Sequence, residues 1–176
     1  MVSTNANFVH TVFAADLDGD GDIDLMSASQ SDDKIAWYEN DGSQNFTEHV
    51  VSSTADGARS VYAADMNADG NLDLITTSHT DDEIVMYVND GATDPIFNKV
   101  VLGNSADGAQ SIFVADMDND GDLDVIAGSE NDNKLAWYEN GSAISIAGRS
   151  LAFDGTGDYI EVADTNALDL TNSFTL

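Results

Sequence analysis

Cysteine is absent from the 176-residue chain, which excludes a disulfide framework, a thiolate nucleophile and a Cys-ligated zinc. Basic residues are scarce: 5 Lys and Arg stand against 33 Asp and Glu, a formal charge of −28. Nucleic acid requires a basic footprint and is therefore no partner for this surface; anionic membranes are disfavoured for the same reason. No apolar run approaches the length that crosses a bilayer, so membrane insertion is not expected. The opening MVSTNANFVH has neither the basic nor the apolar stretch of a signal peptide. No segment sustains a helical apolar period, so helix should be nearly absent. Hydrophobic residues still make up 42% of the chain, enough for a packed core and too much for general disorder.

What the chain does have is a repeat. An acidic nonapeptide is written three times, as DLDGDGDID from Asp16, DMNADGNLD from Asp65 and DMDNDGDLD from Asp116, at spacings of 49 and 51 residues. The neighbouring segments follow in register. TVFAAD from Thr11 matches SVYAAD from Ser60 and SIFVAD from Ser111. DDKIAWYEND from Asp32 matches DDEIVMYVND from Asp81 and DNKLAWYENG from Asp132, and NFTEHVV from Asn45 matches IFNKVVL from Ile96.

Each unit therefore offers four short runs of β-branched and aromatic residues separated by Asp, Asn, Gly and Ser, which is the grammar of strands and hairpins. In the first unit this predicts strands near 9–15, 22–29, 34–39 and 46–51. Four antiparallel strands at a period near 50 residues describe propeller blades. A calcium-binding β-solenoid repeats at about nine residues and does not fit. The fold class expected is all-β, with three four-stranded antiparallel blades over about 8–52, 53–102 and 103–141, the third lacking its outer strand. Propellers close with about 4–8 blades. Three blades are thus part of a ring, completed by a longer chain or by homo-oligomerisation. A dimer giving six blades is the simplest closed solution. Trp37, Met86 and Trp137 recur at one point of the repeat and are expected to pack between blades, as are Tyr38 and Tyr138, rather than to stack on a sugar.

Within each nonapeptide, side-chain oxygens fall at positions 1, 3, 5 and 9, with Gly at position 6 for the bend and the carbonyl of position 7 turned inward. That arrangement supplies a hard cation with the oxygen ligands calcium takes. The first loop offers Asp16, Asp18, Asp20 and Asp24 with the Asp22 carbonyl. The second offers Asp65, Asn67, Asp69 and Asp73 with the Asn71 carbonyl. The third offers Asp116, Asp118, Asp120 and Asp124 with the Asp122 carbonyl. An EF-hand would need a Glu at position 12 and flanking helices, and the residues there are Ser27, Thr76 and Ala127. Acidic turns alone would leave the carboxylates repelling one another. The second loop has fewest carboxylates and is expected to bind most weakly. Three divalent cations, +6, would bring −28 only to −22, so the remaining charge reads as solvated acidic surface. Calcium also supplies the cross-linking that disulfides give other secreted proteins.

The units AADLDGDGDIDLMSASQSDDKIAWYEND and VADMDNDGDLDVIAGSENDNKLAWYEN resemble the FG-GAP/VCBS repeat family, the blades of integrin-α-like propellers. The resemblance covers about residues 8–140 and implies a β-propeller with calcium in the hairpin loop of each motif-bearing blade. It further implies an extracellular or cell-surface protein serving adhesion or ligand binding. Asn67 and Ala68 in the second loop depart from the pattern, as does the small blade count. From about Arg149 the chain changes style. RSLAFDGTGDYIEVADTNALDLTNSFTL resembles the opening of a laminin-G-like or concanavalin-A-like jelly roll. Residues 142–176 are accordingly expected to be a linker and a truncated domain start, with extra strands for a blade as the alternative.

No G-x-S-x-G, H-E-x-x-H, P-loop or G-x-G-x-x-G context occurs, and His10, His49 and His79 have no paired spacing. The expected function is a non-catalytic, calcium-binding adhesion or ligand-binding module for a glycan or an extracellular protein. The alternatives are an accessory propeller domain of a larger secreted hydrolase and a structural spacer.

Overall fold

A computed structural model describes residues 1–141 and the backbone of 149–153. The described residues form three four-stranded antiparallel sheets. The first contains β1 (Val9–Ala15), β2 (Asp24–Ser29), β3 (Lys34–Asn40) and β4 (Phe46–Ser52), hydrogen-bonded in chain order. The second contains β5 (Ala58–Ala64), β6 (Asp73–Ser78), β7 (Glu83–Asn89) and β8 (Phe97–Gly103), again in chain order. The third contains β9 (Ala109–Ala115), β10 (Asp124–Ser129), β11 (Lys134–Glu139) and β12 (Arg149–Phe153). One 3-10 turn, Gln30–Asp32, is the only helical element among the described residues. The strands expected in the first unit are borne out to within two residues.

One expectation is corrected. The third sheet does not lack its outer strand: β12 pairs antiparallel with β11, Glu139 opposite Arg149 and Leu135 opposite Phe153. An open β11 edge would present unpaired N–H and C=O groups, and the next strand-forming run satisfies them. Residues 142–148, the expected linker, and 154–176, which carry the rest of the jelly-roll resemblance, lie outside the described residues.

The sheets stack face on face because each strand alternates its side chains between two neighbours. Phe13, Met26, Ile35 and Trp37 of the first sheet meet Val61, Leu74, Val85 and Tyr87 of the second. Ile75, Ile84 and Met86 on the second sheet's other face meet Val114, Val125, Ala136 and Tyr138 of the third. The middle sheet is thus covered on both sides, and β6 is buried along its whole length. The inner strands β1, β5 and β9 lie side by side. Phe13, Tyr62 and Phe113 form an aromatic row along them, with ring centroids 4.6 Å and 6.1 Å apart. Trp37 is 2% exposed and stacks on His49 at 4.5 Å; it packs between blades. The three sheets are propeller-like blades in an open stack.

Candidate metal centres

Each acidic nonapeptide forms the hairpin loop between a blade's first two strands, and its position-9 Asp opens the second strand. Local chemistry folds the loop. In the first, Asp16 accepts N–H bonds from Gly19 at 2.9 Å and Gly21 at 3.0 Å, Asp18 accepts from Asp20 at 3.1 Å, and Asp20 from Asp22 at 2.8 Å. These are Asx turns, in which a short side chain bonds the backbone a few residues on. The same pattern recurs in the third loop: Asp118 accepts from Asp120 at 3.1 Å, Asp120 from Asp122 at 2.9 Å and Asp116 from Gly121 at 3.2 Å. Position 6 requires the left-handed region, with φ of +97° at Gly21, +92° at Gly70 and +100° at Gly121. Position 4 requires it too, at Gly19, Ala68 and Asn119, which the sequence reading missed.

Among the described residues, the position-9 carboxylates are the most buried charged groups, at 1%, 0% and 0% exposure for Asp24, Asp73 and Asp124. Each divides its oxygens the same way. One accepts from the position-2 N–H (Leu17 at 2.9 Å, Met66 at 3.1 Å, Met117 at 3.0 Å). The other accepts from the residue at, or in the third blade just after, the end of the third strand (Asn40 at 2.8 Å, Asn89 at 2.9 Å, Asn140 at 2.8 Å). A carboxylate has lone pairs beyond two such bonds, so the same Asp holds the loop closed and retains ligand capacity.

The loops differ in how far their carboxylates converge. Oxygens of Asp16, Asp18 and Asp24 lie within 4.8 Å of one another, as do those of Asp116, Asp118 and Asp120. Asp20 lies outside the first group and Asp124 outside the third. No comparable trio forms in the second loop. There Asn67 Nδ2 donates to Asp69 Oδ2 at 3.0 Å and Asn71 Nδ2 to Asp69 Oδ1 at 2.9 Å. Side-chain amides there donate to both oxygens of a carboxylate that in the first and third loops accepts, among the described residues, only the position-7 backbone N–H. The position-7 side chains of Asp22 and Asn71 lie against Gly42 and Gly91, where an added Cβ would come within 2.5 Å and 2.6 Å of them.

Electrostatics fit a cation. Burial pushes the Asp18, Asp24 and Asp73 carboxyls above the ordinary carboxylate range, and the charges of neighbouring loop carboxylates push them further. A bound divalent ion reverses that logic by stabilising the ionised form. The donor set is all oxygen, which suits calcium.

Residues 16–76 match the FG-GAP-like repeat. The matched span runs from the first acidic loop through the first blade to β6, so it takes in two of the three acidic loops. No curated protein and no solved structure matches the chain. The FG-GAP-like repeat agrees with the propeller-like blades, and the third copy follows the same strand order and loop geometry.

The sequence reading missed a second set of residues. Asn89 Nδ2 donates to Leu72 O of its own blade at 3.1 Å and to Leu17 O of the preceding blade at 3.2 Å. Asn140 Nδ2 repeats this with Leu123 O at 3.1 Å and Met66 O at 2.7 Å. Each Asn thus ties the acidic loop of one blade to the next, and the three loops line one rim of the stack. The repeated Asn ending each WYEN-type strand was the available signal.

Proposed function

We propose that this is a calcium-stabilised, non-catalytic binding module of the extracellular space, with the ions held in the β1–β2, β5–β6 and β9–β10 hairpin loops. The observation that carries the reading is the convergence of three carboxylates within 4.8 Å at the same place in two separate repeats. Three buried position-9 Asp residues at the base of the loops support it. Side chains at positions 1, 3, 5 and 9 would supply ligands, with the position-7 carbonyls of Asp22, Asn71 and Asp122. Extracellular calcium modules bind with Kd of about 10⁻⁴–10⁻³ M, a range useful where calcium is abundant. The loaded rim, lined by three ions and open loop residues, would be the surface for a glycan or protein ligand, as in adhesion.

The test is thermal melting after chelation and again with millimolar calcium or magnesium. Calcium should raise Tm, more than magnesium does, and the double variant Asp18→Asn, Asp118→Asn should lose most of the increase. Equal melting with chelator and with calcium would overturn the metal reading. Binding to a glycan or matrix-protein array in calcium but not in chelator would support the ligand role.

A further inference from the structure

The stack has two ends, and they are unlike. Repeat equivalence states what each end lacks. On the third sheet's outer face, Phe113 is 59%, Met117 50% and Leu135 53% exposed. Their counterparts one and two repeats earlier are covered by the next blade: Leu17 is 2% and Met66 7% exposed, and Ile35 and Ile84 are both 0%. On the first sheet's outer face, Val12 is 66%, Val9 43% and Ile23 55% exposed. Their counterparts in the second blade, Val61 at 2% and Ala58 at 0%, are buried against the preceding blade, and Leu72 packs on the same core. Among the described residues, seven of the eleven large exposed apolar side chains lie on these two ends, counting Phe8 at the start of the first blade.

The hydrogen bonds are complementary in the same sense. At each inner boundary the left-handed residue of one blade's second turn accepts two N–H groups from the next. Ala55 and Gly57 donate to Asp33 O and Oδ1, both at 3.0 Å, and Ala106 and Gly108 donate to Asp82 O at 3.1 Å and Oδ1 at 2.9 Å. The third blade holds Asn133 at that position with φ +55°, and no following blade donates to it among the described residues. Among the described residues, the N–H groups of Ala6 and Phe8, at the positions of Ala55 and Gly57, have no such acceptor. The Asn staple is split likewise. Among the described residues, Asn40 Nδ2 reaches only its own Ile23 carbonyl, at 3.1 Å, and the Met117 carbonyl receives no amide of the kind Leu17 and Met66 receive. One end offers unused acceptors at the positions where the other offers unused donors.

We propose that the outer face of the third blade docks on the outer face of the first blade in a second copy of this chain. The contact is head-to-tail, and repeating it either closes a ring or extends a filament. Propellers hold about 4–8 blades, and six is the one multiple of three in that range, so two copies close the ring. Phe113, Leu135 and Trp137 of one copy then cover Val12 and Val9 of the other. Asn133 and the Met117 carbonyl take the donors of Ala6, Phe8 and Asn40. The inference does not depend on which ion the loops hold. The charge of −28 per copy opposes association, so salt that screens it should strengthen the contact.

The experiment is sedimentation of the whole chain, with and without calcium, at low and physiological salt. The expected mass is twice 18.6 kDa, favoured by salt. Two exposed substitutions separate the faces without touching the core: Phe113→Asp blocks the tail face and Val12→Asp the head face, with folding checked by circular dichroism. Each variant alone should sediment as a single chain, and their equimolar mixture should recover a heterodimer, because one intact head meets one intact tail. A chain that stays single at every condition up to millimolar concentration overturns the proposal. A Val12→Asp variant that still dimerises also overturns it, since the contact would then join two tail faces.

Discussion

Asn89 donates its side-chain amide to the carbonyl of Leu17, 72 residues earlier, across the boundary between the first and second blades. The same Nδ2 bonds Leu72 at 3.1 Å, while the Asn89 backbone N–H bonds Asp73 at 2.9 Å. One residue thereby connects two acidic loops to each other and to the buried carboxylate at the base of one. Loop geometry and blade stacking are therefore a single construction.

Replacing Asn89 by Ala leaves the Leu17 and Leu72 carbonyls without the amide. Orphaned buried acceptors cost about 1–3 kcal/mol, and Asn89 is 2% exposed, so a loss near the upper end is expected in urea unfolding. Asn40→Ala removes one bond at the end of the stack and should cost less than half as much. Equal losses at the two positions would show that the inter-blade bond contributes nothing.

The second loop can be strengthened by one substitution. Asn67→Asp restores the carboxylate that positions 18 and 118 carry and removes the amide bonded to Asp69 at 3.0 Å. Calcium affinity at this loop should rise on the order of tenfold, about 1.4 kcal/mol, by calorimetric titration. In chelator the same variant should melt lower than the parent, because it adds a like charge to the loop. A variant more stable than the parent in chelator would contradict the electrostatic account.

Strands, blade count and loop positions were legible because they rest on local period and on residues such as Gly21, Gly70 and Gly121, whose φ only glycine adopts readily. The inter-blade role of Trp37 was legible from its recurrence. The outer strand of the third blade was not. Arg149–Phe153 follows a longer connection than the runs to β4 and β8, and its sequence reads equally well as the start of another domain. The Asn40, Asn89 and Asn140 staples were overlooked because an Asn at a strand end reads as a turn residue. For Asn89 and Asn140 one of the two partner carbonyls belongs to the preceding repeat, which local pattern does not reveal. The smaller number of carboxylates in the second loop was legible from Asn67, but the amide bonds that occupy Asp69 required side-chain geometry.

Gly57 holds φ +68°, and a Cβ there would lie 2.6 Å from Thr80 Oγ1 and 3.1 Å from the Thr80 nitrogen. Gly57→Ala should therefore destabilise by about 2 kcal/mol, from left-handed strain and the clash with backbone. The first blade offers the converse experiment. Phe8 sits at the same point of the repeat with φ +60° and is 62% exposed. Phe8→Gly relieves strain at the cost of unfolded-state entropy, so the change in Tm should be small and upward. A drop as large as that of Gly57→Ala would mean that the Phe8 ring, 5.1 Å from that of His10, holds the segment.

The outer edge of the first blade carries a pH-dependent contact. Lys34 Nζ bonds Glu48 Oε1 at 2.7 Å and the Asn5 carbonyl at 2.8 Å, with Lys34 8% exposed. The Lys34 bond holds the Glu48 carboxyl below its ordinary 4.5. The folded state then binds fewer protons than the unfolded chain just below that value. The contribution is accordingly complete above about 4.5 and disappears as pH falls through the lowered folded value. Lys34 is raised above its ordinary 10.5, so its own contribution is present below that value and is lost only in strong alkali. Glu48→Gln should cost about 1 kcal/mol near pH 7 and progressively less as pH falls below 4.5, measured by urea unfolding against the parent at each pH. The same cost at every pH would assign the role of Glu48 to its shape and its Ser3 and Asn5 contacts, and not to its charge.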